Sequence, residues 1–216
     1  MAGIRLVGGA ALALCYFDRG TTQVLDVLHV RPGSDDSVGA AAERVALKHG
    51  WDAKWLTFEV TKADAVPTLG RVVEWETIYD EDGIVIQVAS KQGMLAMKLR
   101  ANRPGRDTRD IRLLLALCQV HTLEDAEERH EDFYPGDALV PRAEKIVNAK
   151  DPDPDVSLVR PLAHRRRIRA HADDVPLFTT LADTYPTFAN SDDEWMTSKI
   201  PTTSFGVIVS TALSGC

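Results

Sequence analysis

The chain has 216 residues, which is enough for one domain or for one domain with an appendage. Hydrophobic residues make up 44% and charged residues 26%, as is typical of a globular protein, and no stretch approaches the ~20 apolar residues of a membrane span. The formal net charge of −7 argues against indiscriminate binding to nucleic acid, while leaving room for a local basic groove. Three widely spaced cysteines, Cys15, Cys118 and Cys216, match no zinc-binding pattern and indicate a reducing cytoplasm.

The first half of the chain predicts a sheet with helices between its strands. Apolar and β-branched runs mark the strands, and glycines and turn residues separate them. In chain order, the predicted elements are a strand at 4–7 that enters a helix through Gly8-Gly9, a strand at 23–30, a helix at 38–50 ended by Gly50, and a hairpin of strands 71–75 and 84–90.

The second half predicts helices alone. Ser90 caps the first, Asp107 or Thr108 the second and Thr122 the third, while Pro141 falls in the first turn of the last. These predicted helices cover residues 90–102, 110–120, 122–133 and 138–150. The regular pattern stops at DPDPD (151–155), before a basic run and scattered Pro, Thr and Asp. We therefore predict an α+β domain over 1–150, with a sheet-containing half (1–89) and a helical half (90–150), and an irregular extension over 151–216.

Several residues in this framework suit phosphate or metal chemistry, and each has a plainer explanation. Gly8-Gly9 at a strand-to-helix junction exposes N–H groups to which a phosphate can bind, although glycine pairs are also ordinary turns. Lys98 is either an edge lysine that reaches solvent or a cation directed at a triphosphate. Asp107 and Asp110 share a helix face, where neighbouring arginines offer them ordinary ion pairs.

Taken in order, these pieces resemble a known family. VGGAALAL, R-x-T-T, an acid-bearing strand, VAS-x-x-x-x-L-A-M-K-L-x-A-x-R and R-D-x-x-D-I-x-x-L look like the AbiEii-type nucleotidyltransferases of bacterial toxin–antitoxin and abortive-infection pairs. The resemblance covers about residues 4–149. It implies a nucleotidyltransferase-like fold and Mg²⁺-dependent transfer of a nucleotide from a nucleoside triphosphate, in some members onto tRNA.

The resemblance also assigns roles to residues. Gly8 and Gly9 match the glycine motif that holds the nucleotide phosphates, and Thr22 belongs to the R-x-T-T segment at the same nucleotide site. Asp26 matches the second acid of a magnesium-binding aspartate pair. The helical half contributes the remaining matches, which are Lys98 as the triphosphate contact, Arg103 as a basic position after it, and Asp110 as the acid on the next helix.

The chain departs from that pattern at Val24. Strand residues two apart face the same way, so the family's two acids hold Mg²⁺ together, whereas valine supplies no oxygen. The sequence offers no clear third acid: Gln87 stands near the expected position and is uncharged, while His29 at the strand end is a possible base. Glu76 and Asp110 remain as substitute metal ligands.

Three functional interpretations follow. The first is a nucleotidyltransferase-fold protein whose Mg²⁺-dependent transfer is weakened or lost at Val24. The second is an active enzyme that transfers a nucleotide to an RNA, such as tRNA, or to a protein acceptor. The third is a non-catalytic, antitoxin-like or protein-binding module. The expected partners are a nucleoside triphosphate and either tRNA or a cognate toxin or antitoxin protein, with no membrane association.

Overall fold

The computed structural model describes residues 2–17, 24–30, 33–62, 65–81 and 83–149. Within these ranges the chain is a mixed α+β fold, as predicted: a sheet forms in the first part and the later part is helical. Thr22 and the extension at 151–216 lie outside the described residues, as does the predicted boundary at 150.

Five strands form one mixed sheet in the described part of the chain. They are β1 (Ala2–Val7), β2 (Leu25–His29), β3 (Leu56–Thr57), β4 (Trp75–Glu81) and β5 (Ile84–Ala89), in the spatial order β3-β2-β1-β5-β4. The central strand β1 pairs antiparallel with β2 and parallel with β5. The strands β3 and β4 close the two edges, parallel to β2 and antiparallel to β5 respectively.

Helices follow the strands along the chain. The described residues contain α1 (Gly8–Cys15), α2 (Asp35–His49), α3 (Glu59–Lys62), α4 (Lys91–Ala101), α5 (Thr108–Cys118), α6 (Leu123–Phe133) and α7 (Pro141–Asn148). One hydrophobic cluster joins the sheet to the helices of both halves, from Ile4 and Leu6 on β1 to Leu95 on α4 and Phe133 on α6. The two predicted halves therefore share one core.

Local signals placed the helix ends well. Ser90 accepts a hydrogen bond from Gly93 N, and Thr122 forms a capping box with Asp125 at the start of α6. Gly50 ends α2 in the left-handed conformation, at φ 67°. Asp107 stands at the N-cap of α5 but makes no side-chain cap there, because its carboxylate has other partners.

The hairpin forms between β4 and β5, but the prediction of its first strand at 71–75 was wrong. β4 runs over Trp75–Glu81, and residues 79–81, predicted as turn, belong to the strand. The segment before it turns toward α6 instead, where Arg71 N donates to Asp132 O at 2.6 Å. Of the strand predicted at 23–30, β2 covers Leu25–His29, while residue 23 lies outside the described residues. The elements β3 and α3 were not predicted.

Candidate functional site

The glycine pair lies where β1 passes into α1, as predicted. Gly8 has φ +68°, a left-handed value that side-chain-bearing residues rarely adopt. A Cβ atom on Gly8 would lie 2.8 Å from Asp26 Oδ2, closer than real Cβ contacts come. Gly8 therefore makes room for the Asp26 carboxylate beside the first turn of α1, and Gly9 is the second residue of that helix.

Strand pairing explains why Asp26 lies there. Asp26 is opposite Val7 in the antiparallel ladder. Its side chain therefore lies on the same face of the sheet as that of Val7, next to the β1–α1 junction. On its other side it pairs with Thr57 of β3, whose Oγ1 donates to Asp26 Oδ1 at 3.2 Å. The sequence did not indicate that Thr57 contacts Asp26, because a two-residue strand is too short to show a pattern from which its partner strand could be predicted.

Lys98 is buried, which overturns its interpretation as an edge lysine. The residue is 4% exposed, and its Nζ lies 2.6 Å from Asp107 Oδ1 and 2.9 Å from Asp110 Oδ2. Both acids are also buried, at 1% and 2% exposure. Asp110, predicted from the family motif, thus contacts Lys98 directly, and both carboxylates are directed at the lysine rather than only at neighbouring arginines.

Arg103 completes this charged group from the more exposed side. Its backbone N and its Nε donate to Asp107 Oδ2 at 2.8 and 3.0 Å. Burial would raise the pKa of Asp107, but hydrogen bonds from Arg103 and Lys98 outweigh it and lower the pKa to about 2. Asp107 is therefore a carboxylate at all physiological pH values.

Arg103 is influenced by the charges of both parts of the candidate site, Asp26 on the sheet and the acids of the helical part. The hydrogen bond with Asp107 is the main cause that raises the pKa of Arg103, against burial, and the charges of Asp107, Asp26 and Asp110 raise it further. The fold thus brings Asp26 of the sheet into the electrostatic neighbourhood of the α4–α5 group, from residues far apart in the chain. We name Gly8, Asp26, Lys98, Arg103, Asp107 and Asp110 the junction cluster.

The oxygen donors around Asp26 are few. Val24 lies just before β2 and is 37% exposed. Gln87 faces the same side of the sheet as Asp26 but accepts from Arg5 Nε at 2.9 Å and donates to Thr77 Oγ1 at 3.3 Å. Among the described residues, no three His, Cys, Asp or Glu side chains form a metal-binding group. The donors present suit a Mg²⁺ ion that arrives with phosphates better than one held by protein ligands alone.

Asn102 is a further polar residue that the sequence did not single out. It ends α4 with φ 33° and is 5% exposed, between Lys98 and Arg103 in the chain. Within the described part of the chain, neither its Oδ1 nor its Nδ2 has a hydrogen-bond partner. A buried amide without partners costs free energy, so substitution of Asn102 is expected to change the stability of the fold.

Comparison with known proteins adds no assignment. No protein-family model matches the chain, and neither the curated proteins nor the solved structures contain a significant match. Across the described residues, no helix is both long enough and apolar enough to cross a membrane.

Proposed function

We propose that the chain is a nucleotide-binding, nucleotidyltransferase-like protein in which Mg²⁺-dependent nucleotide transfer is weakened or lost. The observation that carries this proposal is the contact of Asp26 with Gly8 at the β1–α1 junction, within electrostatic reach of Arg103. A triphosphate bound to the N–H groups of the first turn of α1 would place its metal beside Asp26 and its negative charge toward Arg103.

The weakness of the site follows from Val24. A metal that bridges protein and triphosphate needs oxygen ligands, and Asp26 supplies the only carboxylate assigned to that position by the sequence motif. Loss of even one hydrogen-bond donor that stabilises developing charge slows an enzyme by about 10²–10³. We therefore expect nucleotide binding to outlast transfer.

A nucleotide-transfer assay tests the proposal. The purified chain would be incubated with Mg²⁺, each labelled nucleoside triphosphate and total tRNA, and binding of the same nucleotides would be measured by calorimetry. We expect binding without efficient incorporation, and increased incorporation in Val24→Asp. Val72→Asp is the matched control, since Val72 is an exposed valine away from the junction cluster.

Variants of Asp26 and Asp80 separate the outcomes. Asp26→Ala should weaken Mg²⁺-dependent nucleotide binding, whereas Asp80→Ala, on an exposed position of β4, should leave it unchanged. Efficient incorporation by the natural chain that disappears in Asp26→Ala would show an active nucleotidyltransferase. Absence of nucleotide binding would reject the proposal.

A second candidate is a non-catalytic module that binds a tRNA or a cognate toxin or antitoxin protein. The observation that favours it is the enclosure of Lys98 by Asp107 and Asp110, since a lysine held by two buried carboxylates has little charge left for a triphosphate. In that case the natural chain and all its variants would bind no nucleotide, and the chain would instead form a stable complex with its partner.

A further inference from the structure

A second polar site surrounds Arg5, on the face of the sheet that also carries Asp26. Ile4 and Leu6, on either side of it, point into the core at 2% and 4% exposure, whereas Arg5 is half-buried on the other face. Its neighbours across the sheet are Leu28 on β2 and Gln87 on β5.

The guanidinium of Arg5 is held in place by uncharged groups. Its Nε donates to Gln87 Oε1 at 2.9 Å, and its Cζ lies 4.7 Å from the ring centroid of Trp75. In the part of the chain that the structure describes, none of the ion pairs involves Arg5. These two contacts fix the orientation of the guanidinium and occupy one of its five N–H groups.

Arg5 differs in this respect from Arg103. Hydrogen bonding to Asp107 raises the pKa of Arg103, whereas burial lowers the pKa of Arg5 and no carboxylate among the described residues offsets it. A half-buried cation without a counter-charge is unfavourable, and an anion that binds beside it relieves this cost.

A cavity of about 380 Å³ adjoins this cation, lined by Arg5, Leu28, His29, Val30 and Thr61. Its volume lies within the range of small-molecule sites. Leu28 and Val30 supply apolar surface and Thr61 a hydroxyl group. His29 Nδ1 lies 2.6 Å from Asp35 Oδ1, so the histidine of the lining is paired with a carboxylate.

We propose that this cavity binds a small organic anion, with its carboxylate or phosphate group on the terminal amino groups of Arg5 and its apolar part against Leu28 and Val30. The planar guanidinium, held by Gln87 and Trp75, presents paired donors that match either group. The cavity lining shares no residue with the junction cluster, and Leu28 follows Asp26 by two residues on β2. The proposal therefore stands whether or not the chain binds nucleotide.

Three probes with one ring and different head groups test the proposal, in the absence of any nucleotide. Benzoate, phenyl phosphate and the neutral benzamide would be titrated into ¹⁵N-labelled full-length chain and followed by NMR. We expect at least one anion to shift the amides of Arg5, Leu28 and Thr61 saturably, with a Kd of about 1 mM or below. Benzamide should bind at least about tenfold more weakly. The stronger of the two anions identifies the head group as carboxylate or phosphate.

Substitutions assign the binding to Arg5. Arg5→Gln should weaken anion binding by at least about tenfold, and Arg5→Lys should fall between it and the natural chain. Arg142→Gln, at an exposed arginine of α7, is the matched control and should bind as the natural chain does. If Arg5→Gln does not fold, the comparison of benzoate with benzamide on the natural chain, together with Arg5→Lys, decides.

Three outcomes would overturn the proposal. The first is the absence of saturable shifts by either anion at about 10 mM. The second is equal affinity for benzamide and benzoate, which would show that the cavity binds the ring without a contribution from the negative charge of the ligand. The third is equal anion affinity in Arg5→Gln and the natural chain, or equal loss in Arg142→Gln, which would show nonspecific attraction.

Discussion

At the scale of single residues, the junction cluster depends on side chains whose partners are distant in sequence. Gly8 leaves room for the carboxylate of Asp26, and Lys98 forms ion pairs with two buried acids at the start of the next helix. A substitution in either arrangement is expected to lower the free energy of unfolding. For each one the chain also contains a comparable residue without those contacts, which serves as a control.

Gly8→Ala is expected to destabilise the fold more than Gly50→Ala. Both glycines have nearly the same positive φ, 68° and 67°, so alanine at either costs about 1–2 kcal/mol of backbone strain. Only at Gly8 does the new Cβ also meet Asp26 Oδ2, because nothing lies within 4 Å of that position at Gly50. Urea unfolding of both variants measures the difference.

The background substitution Asp26→Ala identifies the cause of that difference. With Oδ2 removed, Gly8→Ala should cost about as much as Gly50→Ala, whatever Asp26→Ala costs by itself. An excess cost that persists in this background would mean that Asp26 does not explain the glycine.

Lys98→Met is expected to destabilise the fold by about 3–5 kcal/mol, because it removes the cation that lies between two buried carboxylates. Adding Asp110→Asn should recover part of this loss, since it removes one of the two carboxylates that faced Lys98, while Asp107 retains Arg103. Chemical denaturation of the single and double variants provides the measurement. Glu74→Gln, which breaks the exposed pair with Arg71, serves as control and should cost less than about 1 kcal/mol.

At the scale of elements, two helix ends have a similar backbone conformation but differ in the burial of the residue that ends the helix. Residues Asn102 and Gln119 both end a helix with a positive φ, at 33° and 56°. Gln119 is exposed, whereas Asn102 is buried with an amide that has no partner among the described residues. The same substitution at both positions therefore separates backbone strain from the cost of the buried amide.

Asn102→Gly is expected to stabilise the fold by about 1 kcal/mol more than Gln119→Gly does. Glycine relieves the left-handed backbone at both sites, but only at Asn102 does it remove a buried unpaired amide, which costs about 1–3 kcal/mol. Thermal and urea unfolding of the two variants measures the difference. Equal effects would show that the Asn102 amide has a partner in solution.

Helices were the elements that the sequence predicted best. Their ends are set by contacts within a few residues, such as the Thr122–Asp125 capping box and the serine at position 90, so a reader of the sequence sees both partners. The strand β4 was misplaced because Arg71 hydrogen-bonds to the end of α6, about sixty positions later. The two-residue strand β3 carries too little pattern to be recognised.

At the scale of the whole molecule, two buried titratable groups, His130 and Asp107, make stability depend on pH. Burial lowers the pKa of His130 below its ordinary 6.5, despite the hydrogen bond with the backbone of Asp137. Burial would raise the pKa of Asp107, but hydrogen bonds from Arg103 and Lys98 lower that pKa to about 2. In both cases the unfolded chain takes up the proton more readily, so acid favours unfolding.

We expect the free energy of unfolding to fall in two steps as the pH decreases. His130 contributes stability that is complete well above pH 6.5 and decreases below it, as the unfolded chain becomes protonated there. Asp107 contributes about 2 kcal/mol that is complete above its ordinary pKa of 3.8 and is lost as the pH falls toward 2.

Urea unfolding at intervals between pH 8 and pH 3 would record the upper step and the onset of the lower one. His130→Gln should remove the upper step, and Asp107→Asn should flatten the lower one, whatever each does to stability at neutral pH. A natural chain whose stability is unchanged from pH 8 to pH 5 would contradict the buried neutral histidine.

Sequence reasoning alone predicted the mixed α+β class, most helix boundaries, and the placement of Gly8 and Gly9 between a strand and a helix. These features depend on backbone preferences, caps and hydrophobic periodicity, which act over a few residues and can be read along the chain. The nucleotidyltransferase resemblance and its Mg²⁺ chemistry stay predictions, to be decided by the transfer assay.

Which charged side chains lie in contact became known from the folded structure. It buried Lys98 between Asp107 and Asp110, set Asp26 against Gly8 and Thr57, and placed Arg5 beside a cavity without a carboxylate partner among the described residues. The physical reason is that an ion pair or a cavity needs groups from several elements. Strand register and helix packing, rather than spacing in the sequence, bring those groups together.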